Sequence, residues 1–226
     1  MSRLDRAAAG AITRDWAGAF TGFAVWKPLQ LLRRLGPVLQ GIALDRSSSG
    51  DDYLPYAHVH ALTQEFPGIS LTLAAPLRRR GVAQRIMVAD HEREFGSAVE
   101  DLRAQSPLSL GDAPTVGQLL GSYREYIAEA QRTGLPSGMA ELEDLTLIPA
   151  ALDLPDAVAD GLSFASEIAG GWSRPPPGWA DPDGWLAHLR VSAADPDGLR
   201  ATAVAEIHRH KLTRVPLAWP GVLELP

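Results

Sequence analysis

The chain has 226 residues and a mass of 24.2 kDa, long enough to bury a hydrophobic core without metals or disulfides. Hydrophobic residues make up 46% and charged residues 21%, a composition that fits neither a disordered chain nor a membrane protein. The sequence contains no cysteine, which excludes a disulfide framework, a thiolate metal site and a catalytic thiol.

The net charge is −6, and the negative charge is concentrated in the second half of the chain. Residues 1–110 contain 13 basic and 11 acidic side chains, whereas residues 111–226 contain 8 and 16. No basic residue occurs between Arg132 and Arg174. Such a surface repels phosphate backbones and attracts cationic proteins, so we expect no nucleic-acid binding and a basic protein as the partner. The alternative is that the acidic residues serve only solubility.

The N-terminal residues lack the apolar centre of a secretory signal. The longest apolar run there, residues 16–26, is well short of the roughly 20 residues that a membrane-spanning helix needs. We therefore expect a cytoplasmic protein without a membrane partner.

Helical and strand periodicities follow each other along the first 110 residues. Leu4, Ala8, Ile12 and Trp16 recur at steps of four and predict a helix over about residues 3–18. Alternation and turn residues then predict an antiparallel meander of four or five strands with one solvent-exposed face. Its strands are expected at Leu29–Arg34, Val38–Arg46, Tyr53–Leu62, 69–73 and Ala83–Val88.

Helical patterns dominate the rest of the chain. They predict helices from Asp90 to about Ala104, from Pro114 to Gly134, and from Asp153 to the Gly170-Gly171 pair. The tetrapeptide Asp-Pro-Asp-Gly occurs at residues 181–184 and again at 195–198, each time before a helical pattern. Because aspartate is a good N-cap and proline fits the first turn, each copy predicts a helix start rather than a calcium loop.

These patterns predict an α+β fold in which an N-terminal helix and an antiparallel sheet precede a helical C-terminal region. The expected division is a helix-plus-sheet domain over residues 1–110 and an acidic helical region over 111–226, either separate or packed together as one domain. A proline-rich linker is expected near residues 173–182, which contain three consecutive prolines.

Several catalytic signatures are absent. No two glycines are spaced two residues apart and no glycine precedes a lysine, which excludes the usual dinucleotide-binding, kinase and phosphate-loop motifs. We predict no cofactor and no catalytic residue.

His58 and His60 lie two apart in a predicted strand and so point to the same side, where they could bind one metal ion. The third ligand could be His91, Asp90 or Asp45. The alternatives are a structural role on a solvated face, or polar lining, together with Tyr56 and Arg85, of a pocket in a small-molecule-binding protein or enzyme.

The favoured function is non-catalytic protein binding, of a regulatory kind, through an acidic surface. The carboxylates expected to form that surface fall in the stretch without basic residues. The surface is expected over the acidic stretch from Glu141 to Glu167, with contacts from Glu141, Glu143, Asp144, Asp153, Asp156 and Asp160.

The segment from Gly22 to Leu62 resembles uncharacterised bacterial alpha-beta domains, some of which are similar to immunity proteins of bacterial toxin systems. The likeness is found in Phe23 before the Lys27-Pro28 break, in residues 36–42, and in the serine turn at 47–49 that leads to Tyr53. It covers roughly a fifth of the chain. The resemblance implies a helix followed by a meander and an inhibitory, protein-binding role, and it transfers no functional residue.

Overall fold

The structure is a computed structural model that describes residues 4–133, 138–172 and 178–219. It confirms the α+β fold, with an N-terminal helix, an antiparallel sheet and C-terminal helices. The helices in the described residues are α1 (Arg6–Ala19), α2 (His91–Gln105), α3 (Val116–Arg132), α4 (Met139–Ala151), α5 (Pro155–Gly170), α6 (Pro182–Ala193) and α7 (Pro196–Arg209). The strands are β1 (Ala24–Lys27), β2 (Gln30–Leu35), β3 (Val38–Arg46), β4 (Asp52–Ala61), β5 (Thr72–Pro76), β6 (Arg78–Arg79), β7 (Val82–Ala83) and β8 (Ile86–Met87).

The main sheet has the order β1-β2-β3-β4-β5, and β8 pairs with β4 beyond the end of β5. Every pairing is antiparallel, as predicted for a meander. Register pairs Gly41 with His58 and Ile42 with Ala57 in the centre of the sheet. The strand after β4 begins at Thr72, later than predicted, because the backbone N–H of Ser70 bonds to the His60 imidazole instead of a strand partner.

The sheet is covered on both faces, so the prediction of one solvent-exposed face is wrong. The first seven residues of β3 are all buried, without the alternation of a half-exposed strand. On one face, Leu31 and Ile42 pack with α1 and α2. On the other face, Leu32 and Leu39 pack with Ala203, Ile207, Leu212 and Val215, which belong to α7 and the segment after it. The residues that cover this face lie about 165–185 positions away in the chain, and local periodicity does not reveal such contacts.

The helical region and the sheet share one hydrophobic cluster. Leu35, Val38 and Val59 of the sheet pack together with residues of α3, α4, α5 and α6. The predicted division at residue 110 therefore does not separate two hydrophobic cores. Of the predicted proline-rich linker, residues 173–177 lie outside the described residues.

Both Asp-Pro-Asp-Gly copies begin helices, as predicted. Asp181 accepts a hydrogen bond from the backbone N–H of Gly184 at 2.7 Å, and Asp195 accepts one from Gly198 at 2.9 Å. A proline stands in the first turn of each helix. The repeated tetrapeptide thus positions α6 and α7 by the same capping geometry.

Two elements were not anticipated from the sequence. The short edge strand β1 lies where the apolar run 16–26 meets Lys27. Helix α4 is the most enclosed helix in the described part of the chain, because nearly all of its residues from Leu142 onward are buried. A helix buried on all sides lacks the apolar-polar period from which helices are recognised.

No helix of the described residues is both long and apolar enough to cross a membrane.

Candidate functional site

Three exposed carboxylates form a stripe along α5. Asp156, Asp160 and Glu167 lie within about 40° of each other around the helix axis, given about 100° of rotation per residue, and extend over about 16 Å. None of the three forms an ion pair within the described residues. We call Asp156, Asp160 and Glu167 the α5 stripe. Two of the six predicted contact residues, Asp156 and Asp160, belong to it.

Asp153 is exposed next to the start of α5, but its charge is already paired. Arg200 of α7 donates to Asp153 at 2.7 Å and to Asp197 at 2.5 Å. The pairing neutralises this end of the acidic surface and joins α7 to the loop before α5. Asp153 therefore borders the α5 stripe as half of an ion pair rather than as a free charge.

Asp144 lies in the core, so the prediction that it contacts a partner protein is wrong. Its side chain is buried and accepts a hydrogen bond from the Tyr123 hydroxyl of α3 at 2.9 Å. Burial raises the pKa of Asp144 to about 8, and the nearby Glu141 and Glu143 add a smaller effect in the same direction. The burial of Asp144 is not evident from the sequence, because Asp144 follows two other acidic residues of α4, Glu141 and Glu143.

Glu143 and Glu141 are also unlike free surface carboxylates. Glu143 accepts hydrogen bonds from the indole N–H of Trp185 at 2.8 Å and from the Gln64 amide at 3.0 Å. It lines a small cleft of about 130 Å³ between α4, α6 and α7. Glu141 is partly buried, and this burial raises its pKa. These two residues are therefore partly buried, in contrast to the exposed carboxylates of the α5 stripe.

His58 and His60 share one face of β4, as their spacing predicts, but both are buried. His60 Nδ1 accepts a hydrogen bond from the backbone N–H of Ser70 at 3.1 Å and lies 2.7 Å from the Ser70 hydroxyl. His58 lies against Gly41, where a Cβ atom would clash with the imidazole. Burial lowers the pKa of each histidine to about 4, so both are neutral at pH 7. The solvated-face interpretation of this pair is wrong.

The proposed third metal ligands are all engaged elsewhere. His91 lies on the opposite side of the sheet, where it contacts Tyr53 and Asp15. Asp90 pairs with Arg93, and Asp45 lies beside Arg85. No group of three or more His, Asp or Glu side chains in the described ranges is arranged to hold a metal ion. The predicted metal pair is thus two buried imidazoles with no further ligand in this part of the chain.

The predicted pocket of His58, His60, Tyr56 and Arg85 is not assembled in the structure. Arg85 forms an ion pair with Asp52 and donates to the backbone carbonyl of Asp45, at the end of β4 away from His60. The space beside His58 measures only about 10 Å³, too little for any ligand.

A hydrogen-bonded network that the sequence analysis did not single out joins α1, β4 and α2. The Trp16 indole donates to the Tyr53 hydroxyl at 3.3 Å, and this hydroxyl lies 2.7 Å from His91 Nδ1. His91 Nε2 lies 3.0 Å from Asp15. Because the Tyr53 hydroxyl accepts from Trp16, it can donate to Nδ1, which leaves the Nε2 proton for Asp15. The network provides hydrogen-bond partners for the buried polar groups between α1, β4 and α2, and it therefore stabilises the fold.

Three consecutive arginines, residues 78–80, lie in an exposed hairpin. Strands β6 and β7 pair there, and Arg80 and Gly81 have positive φ at the turn. Arg79 is paired with Asp101 of α2.

The fold and these groups define an α+β protein with a carboxylate stripe on one helix of its C-terminal region. No family model, curated protein or solved structure matches the chain.

Proposed function

We propose that this chain is a non-catalytic protein-binding protein that contacts a basic partner through the α5 stripe. The observation that supports the proposal is the arrangement of Asp156, Asp160 and Glu167, which are exposed, unpaired within the described residues and aligned on one helix face. Three like charges on one face create a local negative potential that steers a cationic partner into place.

The other four carboxylates predicted to contact the partner are not free surface charges, which limits the extent of the contact surface. Asp144 is buried, Glu141 and Glu143 are partly buried, with Glu143 hydrogen-bonded to Trp185, and Asp153 is paired with Arg200. The proposed surface is therefore narrower than the acidic stretch Glu141–Glu167 expected from the sequence, because it is limited to α5. An immunity-type role, in which the partner is a basic toxin domain, agrees with this charge and is included in the proposal.

The experiment compares two charge-matched variants as bait in extracts of the source cells. The test variant carries Asp156→Asn, Asp160→Asn and Glu167→Gln. The control carries Glu65→Gln, Glu92→Gln and Glu125→Gln, which removes the same charge from exposed residues elsewhere on the surface. We expect a basic protein that binds wild type and the control but not the test variant.

The affinity of the purified complex is then measured over a range of salt concentrations. We expect the affinity to fall as salt rises, because exposed charges are screened within about 10 Å at 0.1 M ionic strength. Equal losses in the two triple variants, or an affinity independent of salt, would overturn the proposal.

A further inference from the structure

A groove of about 430 Å³ lies between the edge strand β1 and the segment after α7, far along the chain from the α5 stripe. One wall is formed by Val25 and Trp26, and the other by residues 211–215. Its volume is in the range of small-molecule sites. We call this the β1 groove.

Three basic side chains lie in or beside the β1 groove, and none of them is paired with an acidic side chain of the described residues. Lys211 and Arg214 line it, and the ammonium group of Lys27 lies 3.8 Å from the centroid of the Trp26 ring. None of the three forms an ion pair within the described residues. Lys27 and Lys211 are the only lysines of the chain, which has a net charge of −6. Lys211 lines the groove, and Lys27 lies against the ring of Trp26, which also lines it. The local charge is therefore opposite to that of the whole molecule.

Lys211 also adopts a backbone conformation that lysine disfavours. Its φ is +57°, and it follows the last helical turn of α7 in the position where helices usually place glycine. The N–H of Lys211 bonds to the carbonyl of His208, and the N–H of Leu212 bonds to that of Ile207, the two bonds of a Schellman motif. The chain thus keeps a long cationic side chain where glycine would be more stable. Backbone strain of this kind is often retained for function.

The groove also supplies apolar and hydroxyl groups. Val25 is half-exposed, and the Trp26 indole is fixed because its N–H donates to the carbonyl of His210 at 2.9 Å. Thr213 adds an exposed hydroxyl between Lys211 and Arg214. A planar or apolar body fits against Val25 and Trp26, while negatively charged oxygens fit the cations and the hydroxyl.

We propose that the β1 groove binds a small organic compound with at least two negative charges, either a phosphate ester or a polycarboxylate. Lys211 and Arg214 form charge-assisted hydrogen bonds to its oxygens, and Trp26 packs against its body. Binding at this groove does not depend on the α5 stripe. The groove lies between β1 and the segment after α7 and is positively charged, whereas the stripe lies on α5 and is negatively charged.

The test uses phenyl phosphate, inorganic phosphate and benzene-1,3-dicarboxylate as probes of the full chain. Binding is followed by calorimetry and by the NMR signal of the Trp26 indole N–H, which is assigned by its loss in Trp26→Phe. We expect saturable binding of at least one of the two aromatic anions, with inorganic phosphate weaker. Comparison of the two aromatic anions shows whether the ligand is a phosphate ester or a polycarboxylate.

The variants Lys211→Gly and Arg214→Ala are expected to weaken binding about tenfold each, the loss expected for one charge-assisted hydrogen bond. Lys211→Gly is also expected to raise Tm by about 2–4 °C, because it removes the strain at positive φ. Arg190→Ala, which removes an exposed positive charge on α6, is the control and should bind as wild type does.

Three results would overturn the proposal. The first is the absence of saturation with all three probes up to about 10 mM, a concentration at which binding is too weak to be specific. The second is binding that Arg190→Ala weakens as much as Lys211→Gly does. The third is exclusive binding of an extended poly-glutamate peptide, since the site would then be a strand-pairing edge at β1 rather than a small-molecule site.

Discussion

Asp144 shows how far the chemistry of a single residue depends on its burial. The side chain is surrounded by the helical core and accepts a hydrogen bond from Tyr123. With a pKa of about 8 it is mostly protonated at pH 7, whereas an unfolded aspartate with a pKa near 3.9 is ionised. Folding therefore takes up a proton at this position.

The contribution of Asp144 to the stability of the protein should fall as the pH rises from about 4 to about 8. In this interval the folded state binds more protons at Asp144 than the unfolded state does, so this one group lowers the unfolding free energy by up to about 1.4 kcal/mol per pH unit. We predict that Asp144→Asn flattens this slope, as measured by urea unfolding at several pH values. The exposed Asp156→Asn is the control, and an unchanged slope in Asp144→Asn would contradict the prediction.

His58 and His60 affect the stability of the protein in the opposite direction as the pH changes. The folded-state pKa of about 4 for His58 and His60 lies below the ordinary value of about 6.5, so the unfolded state binds more protons between these values. Their contribution to stability is complete above pH 6.5 and is lost as the pH falls toward 4. We predict that His60→Asn reduces the acid-side loss of stability measured by urea unfolding between pH 6.5 and 4. His188→Asn, at an exposed position, should leave the slope unchanged.

At the scale of the elements, local signals predicted much of the fold. The strand Val38–Arg46 agrees with the structure residue for residue, because turn chemistry on both sides limits it. The helix starts at Asp181 and Asp195 are confirmed, since capping depends only on neighbouring residues. Helix α4 was missed because its enclosure by α3, α5, α6 and α7 removes the polar face that marks a helix.

The candidate site was only partly predictable, because burial by distant residues also decides which carboxylates are exposed. Asp156 and Asp160 are exposed as expected, but the sequence does not distinguish them from Asp144, which is buried by contacts with the distant Tyr123. The β1 groove joins residues separated by about 185 positions in the chain, so no motif spacing indicates it.

The matched caps allow a direct test of helix energetics. Asp195 and Asp181 each accept one backbone hydrogen bond at the start of a helix. We predict that Asp195→Ala lowers the unfolding free energy by about 1 kcal/mol, the usual cost of a lost N-cap. Asp195→Asn, which preserves the cap, should lose much less in chemical denaturation. If Asp195→Ala and Asp195→Asn lowered the unfolding free energy equally, the charge of the carboxylate would matter more than its hydrogen bond.

At the scale of the whole molecule, the shared cluster links the sheet to the helices. Val59 of β4 and Leu119 of α3 belong to one buried cluster, and residues of α7 cover the opposite face of the same sheet. Loss of either layer would expose apolar surface on the other. The two halves are therefore expected to depend on each other for stability.

We predict a single cooperative unfolding transition for the full chain. Hydrogen exchange of β3 and α6 amides should report the same free energy of opening, and Val59→Ala should lower both by about 1–2 kcal/mol. Two separate transitions, or a loss confined to the β3 amides, would show that the halves fold independently.

The position of the two lysines has a practical consequence for labelling. Lys27 and Lys211 are exposed; Lys211 lines the β1 groove and Lys27 lies against Trp26, so amine-reactive reagents should modify side chains in only one region of the protein. A fluorophore or cross-linker coupled to either lysine would be attached close to Trp26. The other side chains of the surface, including the carboxylates of α5, would stay chemically unaltered.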